Sequence, residues 1–313
     1  MNRGNSKPAA SLLFIATLIL ALPALAQNPD LVLSFDNLAP LSADEVYEGW
    51  AIVDGAPVST GVFNIDDMGQ VIDPSSGAVI DMFSPAGDIT GATDIKISIE
   101  PSEDTDPSPS GLIVLGGSVD GDMVSLYTGF EAVAEAAGCY ILATPSDNGM
   151  DTMNDNQGIW WLQMPGPVAG LTGLPALGGG WTYEGWIVDI SGGSPVPYST
   201  GTFDMGDGFD SDAAGPMGGG PAFPGQDFVA YQGGPVLDLA SGDFAAVISI
   251  EPVPDNSPMP FQLKPLAGGI MAGATGGCVG NQTTDTFPSG HAEIMTSVAV
   301  ETASLSSVKA LFE

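Results

Sequence analysis

Basic side chains are nearly absent. Of 313 residues only five are Lys or Arg, against 38 Asp and Glu, giving a formal charge of −33. Arg3 and Lys7 both lie in an N-terminal segment that reads as removable. Its loss leaves Lys96, Lys264 and Lys309, no arginine, and a formal −35. Counterion release needs cations facing phosphates, so nucleic-acid binding is excluded. Arginine clamping of phosphoryl or carboxylate groups and attachment to an anionic membrane surface are disfavoured for the same reason. Cysteine is scarce too: Cys139 and Cys278 are too few for a disulfide scaffold or a metal cluster. A bridge between them, which export permits, and a pair of buried thiols both stay open. His291 is the only histidine, with no second His or neighbouring Cys to build a metal site or an obvious triad, and it reads as a turn or strand-edge residue.

What the chain does have is apolar residues enough for a core, at 44%, together with 43 Gly and 26 Pro that imply many turns. Residues 1–26 run from Arg3 and Lys7 through an apolar stretch, Leu12 to Leu22, to Ala24-Leu25-Ala26. That order is a secretory signal peptide with cleavage expected before Gln27. Its apolar stretch is shorter than the roughly 20 residues that span a bilayer, and no later one is longer. A secreted or periplasmic protein with no membrane span after cleavage is expected.

The chain is also internally duplicated. Tyr47-Glu48-Gly49-Trp50 recurs as Tyr183-Glu184-Gly185-Trp186, Ser59-Thr60-Gly61 with Phe63 as Ser199-Thr200-Gly201 with Phe203, and Ser98-Ile99-Glu100-Pro101 as Ser249-Ile250-Glu251-Pro252. The offset grows from 136 at Tyr47/Tyr183 to 151 at Glu100/Glu251, so the second copy carries 15 additional residues. They fall largely in the Gly/Asp/Pro-rich stretch near 204–228. Copies this long are domains rather than solenoid units. The expected division is a signal peptide at 1–26, one repeat at 27–150 and a second at 151–313, with the boundary in the polar stretch 147–157.

Periodicity favours strands almost throughout. Ile95, Ile97 and Ile99 alternate with Lys96, Ser98 and Glu100, predicting one buried and one wet face, whereas Phe244 to Ile250 is apolar enough to be covered on both. Short strands are also predicted at 46–53, 61–65, 78–82, 112–115, 139–143, 183–189, 228–231, 236–239 and 294–300. Only 127–137, with Phe130, Val133 and Ala134 at helical spacing, predicts a helix. The fold class is all-β, two tandem antiparallel β-sandwiches.

Tyr47, Trp50, Tyr183 and Trp186 are expected in the cores, since each aromatic ring buries on the order of 150 to 250 Å². An exposed aromatic platform for a glycan or peptide is the functional alternative. Glu48 with Glu100 and Glu184 with Glu251 could be carboxylate pairs of the glycosidase kind. The position of Glu100 and Glu251 before proline at a strand end argues for ordinary polar residues instead, so no catalytic residue is assigned. Asp204, Asp207, Asp210 and Asp212, spaced by Gly and Ser, are a candidate calcium loop that lacks the closing Glu of an EF-hand. No cofactor is required by the sequence. Asn281-Gln282-Thr283 fits a glycosylation acceptor.

The duplicated motifs resemble the extracytoplasmic C-terminal domain of anti-sigma-K factors. The likeness lies in the aromatic-x-x-Trp strands (Tyr47 to Trp50, Tyr183 to Trp186), the turns at Pro57-Val58-Ser59-Thr60-Gly61 and at Pro195-Val196 with Ser199-Thr200-Gly201, and the strands ending in Glu100-Pro101 and Glu251-Pro252. It implies a β-sandwich outside the cytoplasm. In that family a separate cytoplasmic segment, often with His and Cys zinc ligands, holds the sigma factor. This chain has no such segment, so direct sigma-factor binding is disfavoured. The leading expectation is an exported, non-enzymatic binding, sensing or scaffold protein whose partner is an extracellular or envelope protein or a glycan. Calcium-dependent adhesion or glycan binding and a carboxylate-dependent hydrolase are the alternatives.

Overall fold

The computed structural model describes residues 28–145, 152–211, 220–230, 235–255 and 257–296. The cleavage site, Asp212 and part of the expected inter-repeat boundary lie outside these residues. Residues 28–296 form one compact unit.

The first stretch of chain forms β1 (Asp30–Asp36), β2 (Glu45–Val53), β3 (Ala56–Ile65), β4 (Val71–Ile72), β5 (Ala92–Pro101), β6 (Ile113–Ser118), β7 (Met123–Tyr127) and β8 (Ala137–Ile141). The second forms β9 (Ile159–Trp160), β10 (Leu162–Gln163), β11 (Val168–Ala169), β12 (Leu171–Thr172), β13 (Trp181–Asp189), β14 (Val196–Phe203), β15 (Gly225–Gln226), β16 (Phe244–Pro252), β17 (Leu266–Gly269), β18 (Gly276–Asn281) and β19 (Ser289–Met295). All named strand pairings are antiparallel, and the fold is all-β as expected. One sheet has the order β1-β19-β7-β6-β5-β2-β3-β4 and the other β14-β13-β16-β17-β18-β8-β9-β15. The first sheet curls nearly closed. Leu31 on β1 exchanges both backbone bonds with Phe83, and Ile72 on β4 bridges Val79, so residues 79–83 join the two edges.

The two sheets share the order of their central strands, with an exchange. β7 and β18 are equivalent, and so are β1 and β9. The strand between β1 and β7 is β19, from the far end of the chain, while the strand between β9 and β18 is β8, from the first half. Each sheet therefore borrows one strand from the other half of the sequence. A division at 150/151 assigns β8 to the first repeat by sequence, whereas its pairing partners belong to the second. Cys139 of β8 faces Cys278 of β18 in this register, and the two form a disulfide.

Several local expectations change. The helix predicted over 127–137 is a 3-10 turn at Glu131–Glu135, because β7 runs through Tyr127 and β8 starts at Ala137. Phe130 and Val133 are still buried, so their spacing reports a turn packed on the core rather than a helix. The segments 78–82 and 228–231 form no strand among the described residues, and 236–239 leads into a 3-10 turn at Leu239–Ser241. Ile80, Val229, Leu237 and Leu239 pack on the core there without a ladder.

A single apolar cluster joins both sheets, running from Leu31 and Tyr47 to Tyr183, Ile248 and Ile294. Across it Phe130 meets Trp181 edge to face at 5.4 Å, and Trp181 lies 5.9 Å from Phe261. Polar bridges reinforce the junction. Gln262 donates to the Tyr47 hydroxyl at 2.9 Å and accepts from the Ala39 amide at 2.7 Å. Asn281 donates to the carbonyls of Val133 and Ala136 at 2.9 and 3.1 Å, so its amide is committed to the 3-10 turn of the first half.

Candidate functional site

The duplicated motifs meet in space, once in each sheet. β2 pairs with β5 so that Glu48 stands opposite Ser98, and β13 pairs with β16 so that Glu184 stands opposite Ser249. In the first sheet the Trp50 indole donates to Ser98 Oγ at 2.8 Å, Ser98 donates to Glu100, and Ser59 donates to Glu48. In the second the Trp186 indole donates to Ser249 Oγ at 2.8 Å, Ser249 donates to Glu251, and Ser199 donates to Glu184. The backbone N–H of Ser110 closes the first network on Glu100 and that of Phe261 the second on Glu251, both at 2.8 Å.

Glycine at the centre of each motif is a steric requirement. The β2–β3 register shifts between Gly49 and Trp50, and the β13–β14 register between Glu184 and Trp186. This bulge pushes a threonine against the neighbouring strand. A Cβ on Gly49 would sit 2.3 Å from Thr60 Oγ1, and one on Gly185 2.4 Å from Thr200 Oγ1. The tyrosines are anchored alike: Tyr47 donates to the Ala39 carbonyl at 2.9 Å and stacks on Phe63, while Tyr183 donates to the Pro175 carbonyl at 2.8 Å and stacks on Phe203. Trp50 and Trp186 are 1% and 3% exposed, which overturns the aromatic-platform alternative.

The expectation of a wet face on β5 is also overturned. Ser98 and Glu100 are buried, and the Trp50 indole supplies Ser98 with the partner that water would otherwise be. Glu48, Glu184 and Glu251 are buried as well. Burial raises the Glu48 carboxyl, opposed by the Ser59 hydrogen bond and reinforced by Glu100 and Asp104. Burial pushes Glu184 from 4.5 up to about 7, again opposed by its serine and reinforced by Glu251 and Asp255. Glu251 is raised by burial, with Ser249, the Phe261 amide and Lys264 pulling it back. The Oε2 atoms of Glu184 and Glu251 accept no hydrogen bond. Two carboxyls this enclosed offer no approach for a glycosidic bond between them.

Beside Glu251 the second half carries a lysine that has no counterpart beside Glu100. Ile99 donates to the Leu112 carbonyl and Ile250 to that of Leu263, which aligns Ile113 with Lys264. Burial lowers the Lys264 ammonium and Glu251 raises it. Sequence reading missed Ser98, Ser249, Asp104, Asp255 and Lys264 as members of these networks. The repeated Ser two residues before Glu was the available signal.

The other candidates are dispersed. Asp204 and Asp207 are exposed, whereas Asp210 turns inward and accepts the Gly225 amide at 2.7 Å. Among the described residues no group of three or more His, Cys, Asp or Glu is placed to hold a metal ion. His291 lies exposed on β19 between Ser34 and Ser125. No helix among the described residues is long and apolar enough to cross a membrane.

Residues 18–113 match the family of the C-terminal region of anti-sigma-K factor RskA. The match covers β1 to β5 and the start of β6, with all three motifs of the first copy. That region is similar to an anti-sigma factor C-terminal domain. The second half lies outside the match, and its likeness to the first rests on the repeated motifs and networks. No curated protein and no solved structure matches the chain.

Proposed function

We propose that the protein is an exported, non-enzymatic binding, sensing or scaffold module, working outside the cytoplasm on an envelope or extracellular protein or a glycan. The observation that carries this reading is the use made of the duplicated residues. Their indoles, hydroxyls and carboxyls are spent on one another inside two sheets, which is how a framework is built and not how a substrate is met. The likeness of residues 18–113 to an anti-sigma factor C-terminal region supports an envelope role. A disulfide between strands from the two halves suits an oxidising compartment. Direct sigma-factor binding forms no part of the proposal.

Fractionation of a bacterial host expressing the full chain tests it. The expected product starts at Gln27, lies outside the cytoplasm and carries no free thiol. A cytoplasmic, thiol-reduced product would overturn the reading. Glycan and peptide arrays should then reveal binding without turnover; hydrolysis abolished by Glu100→Gln or Glu251→Gln would establish the hydrolase alternative.

A further inference from the structure

The three carboxyls of the second network are arranged differently from ordinary structural acids. Glu184 of β13 is 5% exposed and Glu251 of β16 is fully buried, each with one oxygen that accepts nothing. Asp255, just beyond β16, completes the group and interacts with both. We propose that Glu184, Glu251 and Asp255 form a proton-dependent latch that couples the second sheet to the first, closed when the cluster holds a proton and loosened when that proton leaves.

The route from the cluster to the junction is short. Glu251 holds the Phe261 amide, Phe261 packs by Trp181, and the next residue, Gln262, makes the paired contact to Tyr47 and Ala39 of the first half. Repulsion that displaces Glu251 therefore acts through Phe261 on its neighbour Gln262, the residue that bridges the sheets. The groups facing Glu184 are Ser199 from β14, Glu251 from β16 and Asp255 beyond it; the one cation facing the cluster is Lys264, on Glu251. Three carboxylates against one ammonium cannot all ionise cheaply in a buried site. Where Ile113 replaces Lys264, in the first half, Gly111 occupies the position of Gln262, so no equivalent bridge hangs on Glu100.

The direction follows from Glu184, whose carboxyl is raised to about 7 in the folded chain. A raised carboxyl stabilises the fold fully below its unfolded pKa of about 4.5, and the contribution is lost as pH rises through the folded value. The loss is on the order of 100-fold in the equilibrium holding the cluster together. The proposal is independent of what the protein binds.

Hydrogen-exchange protection, corrected for the intrinsic pH dependence of exchange, tests it between pH 5.5 and 8.5 in the full chain, in Glu184→Gln and in Asp255→Asn. In the wild type, protection at Phe261 should fall as pH rises from 5.5 to about 7 and level off above it; in Glu184→Gln it should stay level, since the amide keeps the shape and cannot ionise. Asp255→Asn, at a half-exposed position, removes one of the charges that raise Glu184 and should move the fall to lower pH, which keeps the test open if Glu184→Gln does not fold. Glu48→Gln should leave the fall intact. Level protection in the wild type, or the same fall in a folded cluster variant, would overturn the latch.

Discussion

Removing the disulfide is the most direct perturbation of the strand exchange. Cys139 and Cys278 are 139 residues apart, and their bridge fixes a borrowed strand, β8, to β18. In the chain-entropy view a closed loop of this length restricts the unfolded ensemble by about 5 kcal/mol at 25 °C, and measured bridges commonly deliver about 2 to 4. Whole-domain stabilities are about 5 to 15 kcal/mol, so the bridge is a large share. The double variant Cys139→Ala/Cys278→Ala avoids stray thiols and leaves the β8–β18 backbone ladder in place. Urea unfolding by linear extrapolation should show a loss of at least about 2 kcal/mol while the native near-UV circular dichroism is retained. The fold persists because Leu142 still donates to Thr275 and Cys139, as alanine, still donates its amide to Gly170. A loss under about 1 kcal/mol would refute the reasoning, since a bridge across so long a loop would then be restraining nothing. Complete unfolding would refute it differently, by showing that β8 is held by sulfur and not by its ladders.

Four other outcomes follow from the same geometry. A protease site inserted after Gly149, cut and then reduced, should leave two fragments that co-elute on size exclusion, because β8 and β19 each lie in the sheet of the opposite fragment; separation without denaturant would argue against the exchange. Gly49→Ala should cost about 1 to 3 kcal/mol by overpacking, and Thr60→Ala should recover most of it in the double variant while costing little alone, since Thr60 Oγ1 is buried without a partner. EDTA should leave the melting temperature unchanged, because Asp210 is already bound to the Gly225 amide; a drop would revive the calcium loop. Raising NaCl from low concentration to about 1 M, where the Debye length is about 3 Å, should raise stability by screening a formal charge of −33, and a flat response would count against self-repulsion as a cost in this chain.

The duplicated motifs made the all-β class and the burial of Tyr47, Trp50, Tyr183 and Trp186 legible in the sequence, because bulky aromatics repeated at matched strand positions have to be covered twice. Two kinds of information were not legible, for different reasons. Alternation along Ile95 to Glu100 separates two faces, but whether the polar face is wet depends on what lies across it, and only the β2–β5 register reveals that Trp50 reaches Ser98, which in turn holds Glu100. The exchange was hidden for a deeper reason. Period and composition describe what a strand is, and β8 and β19 have equivalent places in equivalent sheets, so either could complete either half without changing a local pattern. What separates the two pairings is long-range: Cys139 meeting Cys278, and Asn281 at the end of β18 capping the carbonyls of Val133 and Ala136 just before β8. Both contacts tie the start of the borrowed strand to its host. An unexchanged pairing would sacrifice the β8–β18 register that brings the two sulfurs together, so the cysteine pair acts as the chain's own record of which strand belongs where.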